Sequence, residues 1–287
     1  MISTTIRGLV LMGLFAATSM SARADEPLRF RFAPGQTLAY KIDQETRVEE
    51  TSLDDKTKKP TSSNVLMRAI VTRQWKIMAV DAAGIATVEM SILTLRTERK
   101  VGEDAADVFD STKPDKDDPT HTEMLKNIGK TLAVLRVDAR GQVVAVVESK
   151  VGSASRFQNE LPFRMILPET GPTVGQTWNR AWTIRIDPPQ GTGETHDLTQ
   201  KFTGKDPANG FQVVGIETAA KKMPEIAAER IPLFPLLVTG DVYFHTKTGL
   251  YTGARLKMKH SVEGHEGEGS KMTYTGVWSE DYLPPAK

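Results

Sequence analysis

Apolar and polar residues alternate one for one through most of this chain, and a period of two leaves little room for anything but β-strands. In residues 28–33 Leu28, Phe30 and Phe32 face one way, with Arg29 and Arg31 facing the other. Leu38, Tyr40 and Ile42 share one face, and Val65, Met67, Ala69, Val71, Trp75 and Ile77 form a longer row. Short turn signals separate these runs: Asp81 to Gly84, the stretch ending in Gly141, and Asn209-Gly210. Strands joined by short turns, without intervening helices of crossover length, predict antiparallel pairing. The expected fold class is mostly β, in strongly curved antiparallel sheets. One or two short helices are expected, in residues 118–130 and 153–163. The polar segments 52–63 and 110–120 read as solvated loops.

A second signal is internal. The tripeptide Gly-Gln-Thr opens an alternating run at Gly35 and again at Gly175. Further glycines match in order, Gly84 with Gly210 and Gly141 with Gly249, at separations that shrink from 140 to 126 to 108 residues. A short-period repeat would hold its spacing. The pattern instead predicts two related β-rich halves, residues 25–150 and 173–287, linked by a connector at 151–172. One continuous domain fits as well.

Residues 1–24 read as an export signal. Arg7 precedes the apolar run 8–20, and Ala22 and Ala24 form the small-residue cleavage pattern. The run is shorter than the ~20 residues of a membrane helix, so no span is expected after cleavage. The expected location is periplasmic or extracellular. With no cysteine in the chain, disulfides, thiolate metal sites and cysteine nucleophiles are excluded. Formal charge is +1, or −1 once Arg7 and Arg23 leave with the signal, which argues against a nucleic-acid partner.

The motifs in residues 30–45, 75–90, 129–143, 167–178 and 240–253 together resemble an uncharacterised family of exported bacterial β-rich proteins, a domain of unknown function. The resemblance runs from about Leu28 to Tyr282. It implies an extracytoplasmic location and supplies no catalytic residues. The layout is more loosely similar to the half-barrels that carry lipids and lipoproteins in the periplasm.

No familiar catalytic signature is present: G-x-S-x-G, S-x-x-K, H-E-x-x-H, the P-loop and G-x-G-x-x-G are all missing. No cofactor and no catalytic residue are therefore assigned. Two weaker features remain. His260 falls on the apolar face of an alternating run, with His265 and Glu266 just beyond it, a nitrogen and oxygen set suited to zinc or manganese. Prolines bracket two apolar stretches, residues 161–168 and 223–240. Proline keeps such runs out of central strands. They either cover the sheet or line a cavity in it, and Met165, Ile231, Leu233, Phe234 and Leu236 are the candidate lining. The leading expectation is a non-enzymatic binding or carrier protein for an apolar small molecule or an envelope protein. The alternatives are a metal-assisted hydrolase near His260 and His265, or a structural envelope protein.

Overall fold

The computed structural model describes residues 27–285, apart from 55, 56, 58, 152, 153, 189 and 190. The predicted export signal lies outside the described residues. Twelve strands build one antiparallel sheet. The first half contributes β1 (Thr37–Leu53), β2 (Pro60–Val80), β3 (Ala86–Val101), β4 (Asp107–Asp110), β5 (Thr131–Val137) and β6 (Val143–Ser149). The second contributes β7 (Thr177–Arg185), β8 (Thr195–Ala208), β9 (Phe211–Ala220), β10 (Thr239–His245), β11 (Leu250–Glu263) and β12 (Lys271–Leu283). Three short helices, α1 (Pro119–Leu125), α2 (Ala154–Asn159) and α3 (Ala227–Arg230), and a 3-10 helix, Ile231–Leu236, complete the inventory.

The first strand, β1, lies in mid-sheet. From β1 the chain steps outward to the edge strand β6, crosses to the opposite edge at β7, and steps back until β12 pairs with β1. Counted from β7 to β12 and on from β1 to β6, and setting aside β4, which pairs with β3 off this path, the sheet is one meander whose single break in chain order lies between β12 and β1. The matched glycines occupy matched turns in it: β2–β3 with β8–β9, and β5–β6 with β10–β11.

The two Gly-Gln-Thr segments are the same structure. Gly35 and Gly175 both sit at φ +80°, which only glycine adopts freely. The Gly35 and Gly175 N–H groups each donate to a neighbouring-strand carbonyl at 2.8 Å, of Ile77 and Gly204 respectively. Each glutamine carboxamide accepts the backbone N–H three residues earlier, Ala33 to Gln36 at 3.2 Å and Thr173 to Gln176 at 2.9 Å.

The sheet curls. Side chains of β2 and β7 line one cavity although seven strand-to-strand steps separate them, about 34 Å in a flat sheet. The edges β6 and β7 do not pair, and α2 packs against both, shielding edges that would otherwise recruit another chain.

One end of the concave face is filled by the connector. Phe163, Met165 and Leu167 are fully buried, and the Phe163 ring lies 5.1–6.5 Å from those of Phe30, Phe32, Tyr40, Trp75 and Tyr251. Burying one such side chain contributes about 1.5–3 kcal/mol. A smaller core joins Leu233 of the 3-10 helix to Leu198 and Leu237.

Two local expectations need correction. Residues 28–33 show the predicted alternation but join no strand ladder, because Phe30 and Arg31 donate instead to the turn carbonyls of Ala139 and Gly249. The polar segment 52–63 is partly strand, since β1 continues to Leu53 and β2 begins at Pro60. Both expected helices are present, as α1 and α2.

Candidate functional site

Beyond the aromatic plug the same strands line a cavity of about 460 Å³. Register fixes which side chains reach it. On β1 the inward row runs Tyr40, Ile42, Gln44, and directly opposite on β2 stand Arg73, Val71 and Ala69. Across β12 and β11 the row of Trp278 and Leu256 faces Gln44. The apolar wall comprises Leu256 and Met258 of β11, Ile216 of β9, Trp182 and Ile184 of β7, and Pro235 and Leu236 of the 3-10 helix. Arg156, Glu160 and Pro235 are the exposed lining residues, so the mouth opens between α2 and the 3-10 helix.

Charge is concentrated in this apolar setting. Glu280 is fully buried, and its Oε2 accepts from Arg164 Nε at 3.2 Å and from Trp278 Nε1 at 3.4 Å, while Oε1 has no hydrogen-bond partner among the described residues. The Arg164 guanidinium lies 4.2 Å over the Trp278 ring, a cation–π contact. Its backbone is left-handed at φ +61°, uncommon for a residue with a Cβ. Burial is the largest influence on the Arg164 pKa and lowers it, but Glu280, Tyr251 and Glu160 together outweigh it and the group ends above its usual value. Arg73 receives no hydrogen bond acceptor among the described residues. Burial lowers its pKa, and Arg164 adds to the lowering against the pull of Glu280.

A third guanidinium stands at the far wall. Arg180 donates from Nε to Gln200 at 2.9 Å and from Nη2 to the Asn159 carbonyl at 3.0 Å, and lies 4.1 Å over the Trp182 ring. Gln200 in turn donates to Thr218 Oγ1 at 3.1 Å, a polar row across β7, β8 and β9. Among the described residues no carboxylate pairs with Arg180, and burial pulls its pKa down to about 10.

A second cavity, also about 460 Å³, shares Gln44 with the first and continues toward α1, lined by Thr46, Met67, Phe109, His121 and Tyr274. The concave face is thus a trough, plugged at one end and hollow beyond.

The residues singled out from sequence divide between these regions. Leu236 lines the cavity, whereas Met165, Leu233 and Phe234 are buried in the packing that shapes it, and Ile231 is half-buried at the start of the 3-10 helix. His260 points inward and stacks on Phe234 at 5.2 Å between centroids. Its Nε2 donates to the Leu237 carbonyl at 2.8 Å, which satisfies it as a packing residue. His265 and Glu266 come together not with His260 but with Glu50, their ligand atoms within 4.8 Å of one another. The His265 Nε2 to Glu50 Oε1 distance is 2.6 Å, and the buried Nδ1 has no hydrogen-bond partner among the described residues.

Sequence reasoning passed over Arg73, Arg180 and Gln44. All three occupy the inward parity of rows otherwise read as apolar: Arg73 between Val71 and Trp75, Arg180 between Trp178 and Trp182, Gln44 after Ile42. A charged residue at core parity is the signal that marks them.

The fold and site together define an open, curled antiparallel sheet that encloses a mixed apolar and cationic cavity. No family model matches the chain, and no curated protein does. Among solved structures it is similar to lipovitellin, studied for its lipid–protein interactions, with 10% identity and a TM-score of 0.45 over 90% of this chain and 26% of that one. It is also similar to a DUF1329 family protein from Desulfovibrio piger ATCC 29098, with 11% identity over 88% of each chain and a TM-score of 0.17. The chain spans about a quarter of the lipovitellin chain. At such scores neither likeness bears on function, which has to be read from the cavity's own side chains.

Proposed function

We propose that this protein is an exported, non-enzymatic binding or carrier protein that takes the apolar part of a small molecule into its concave-face cavity. The observation that carries this reading is the hollow itself. Ligand sites are concave, mostly apolar and about 300–1,000 Å³, with a few placed polar groups. A cavity of about 460 Å³ with tryptophan, isoleucine, leucine and methionine walls meets that description. Export rests on Arg7, the apolar run 8–20 and the Ala22 and Ala24 pattern. The test is native mass spectrometry of protein purified gently from an exporting host, before and after solvent extraction. Extra mass that solvent removes supports the reading. Bare polypeptide that also takes up no long-chain amphiphile when offered one defeats it. Amino-terminal sequencing of the same sample is expected to begin at Asp25.

Metal binding is a second reading, favoured by one observation: the Glu50, His265 and Glu266 cluster with an unpartnered buried imidazole nitrogen. Zinc titration of the wild type and of His265→Ala tests it. Equal, weak binding by both would remove it.

A further inference from the structure

We infer that the cavity's ligand is an anionic amphiphile, its acid head held by Arg73, Arg164 and Arg180 and its alkyl chain lying against the Trp182, Leu236 and Met258 wall. The inference rests on the cavity reading above and adds the chemistry of the head.

Charge balance is the first argument. Four arginines line the cavity; Arg156 at the mouth pairs with Glu160 at 2.9 Å, and among the described residues the three deeper ones, Arg73, Arg164 and Arg180, have Glu280 as their one hydrogen-bonded carboxylate, with Glu160 acting on Arg73 and Arg164 from the mouth without a hydrogen bond. The deep cavity therefore carries a surplus of two positive charges. Isolated charges in apolar surroundings are costly unless paired, and a bound anion supplies the missing pairing.

Hydrogen bonding is the second argument. Among the described residues Arg73 has no acceptor, Arg164 uses only Nε, and Arg180 leaves Nη1 free. Guanidinium forks match the geometry of carboxylate and phosphate oxygens. The third argument is preparation. The left-handed Arg164 backbone turns that side chain out of a connector whose neighbours Phe163 and Met165 enter the core. Strain held at one residue by surrounding packing is a recognised mark of functional sites. Tryptophan rings beneath Arg164 and Arg180 hold both guanidiniums in place.

An alkyl acid suits the site better than a free anion because cationic and apolar surfaces share one enclosure. The experiment compares four probes by isothermal titration calorimetry: dodecanoate, dodecan-1-ol, acetate and inorganic phosphate. Charge-assisted hydrogen bonds contribute about 1.5–3 kcal/mol, so dodecanoate should bind about tenfold or more tightly than dodecan-1-ol. Acetate and phosphate should bind far more weakly than dodecanoate. Arg73→Met should reduce the acid-to-alcohol ratio to near one, and Arg180→Gln provides a second reading of it should the first variant not fold. Equal binding of acid and alcohol overturns the inference and leaves the cavity reading standing. Failure of both dodecyl probes overturns the cavity reading itself. Acetate or phosphate binding as tightly as dodecanoate also overturns the inference, because the site would then read a free anion.

Discussion

The two ends of the concave face are floored by the same strands and differ in what lies on top. At one end β1 and β2 present Leu38, Tyr40 and Trp75 to Phe163, Phe30 and Phe32, and the space is solid. Four residues further along each strand, past Ile42 and Arg73, the inward side chains become Gln44 and Val71, and the space is hollow. Alternation is unbroken across the boundary, so it does not distinguish a core from a cavity. The connector does. It lays Phe163, Met165 and Leu167 into one end, and at Arg164 it turns a charge toward the other.

That contrast can be broken from the plugged side first. Phe163→Ala should cost about 3–5 kcal/mol in urea denaturation, the range for emptying a buried aromatic site. A loss below 1 kcal/mol would mean that the plug is not part of the cooperative core. At the boundary, Glu280→Gln should destabilise by about 3 kcal/mol, because it leaves Arg164 without its buried counter-charge.

The boundary should also show in alkaline solution. Tyr40 and Tyr251 have phenol pKa values raised well above 10.0, by burial first and then by Glu280. Their unfolded forms ionise near pH 10 while the folded forms stay protonated, so their stabilisation is complete below pH 10 and is lost as pH rises above it. Chemical denaturation between pH 9 and 11 should show stability falling, with a shallower fall in Tyr40→Phe. Equal slopes would place these hydroxyls in water. On the hollow side the expected effect is smallest and can change sign. Arg73→Met should alter stability of the ligand-free protein by no more than about 0.5 kcal/mol or raise it, since an unpaired charge is removed. A large loss of stability would show that Arg73 is a structural residue.

Much of the fold was legible in the sequence. The period of two gave the strands. The turn chemistry at Asp81–Gly84, Gly141 and Asn209-Gly210 gave three of the antiparallel connections, β2–β3, β5–β6 and β8–β9, because a few backbone angles accept few residue types. The Gly-Gln-Thr pair pointed to equivalent turns, and the hydrogen bonds at Gln36 and Gln176 make them so. Legibility ended at the candidate site. Met165, Leu233 and Phe234 carry the right chemistry for a lining but are spent on packing, whereas Arg73 and Arg180 lie in rows that looked apolar. His260 and His265 stand five residues apart, yet a Gly-rich turn sends them to different surroundings.

The sequence by itself determined which runs alternate, where most of them turn and which side chains share a face, because these depend on neighbours within a few positions. Only the tertiary structure decided that β12 pairs with β1, that the sheet curls until β2 and β7 share a cavity, and that Arg73, Arg164 and Arg180 meet there. The physical reason is range. Local pattern sets the parity of a side chain, but burial and pairing of a charge depend on groups brought near by curvature and by the path of one connector. Arg164 and Glu280, 116 residues apart and 3.2 Å from contact atom to contact atom, are the clearest case.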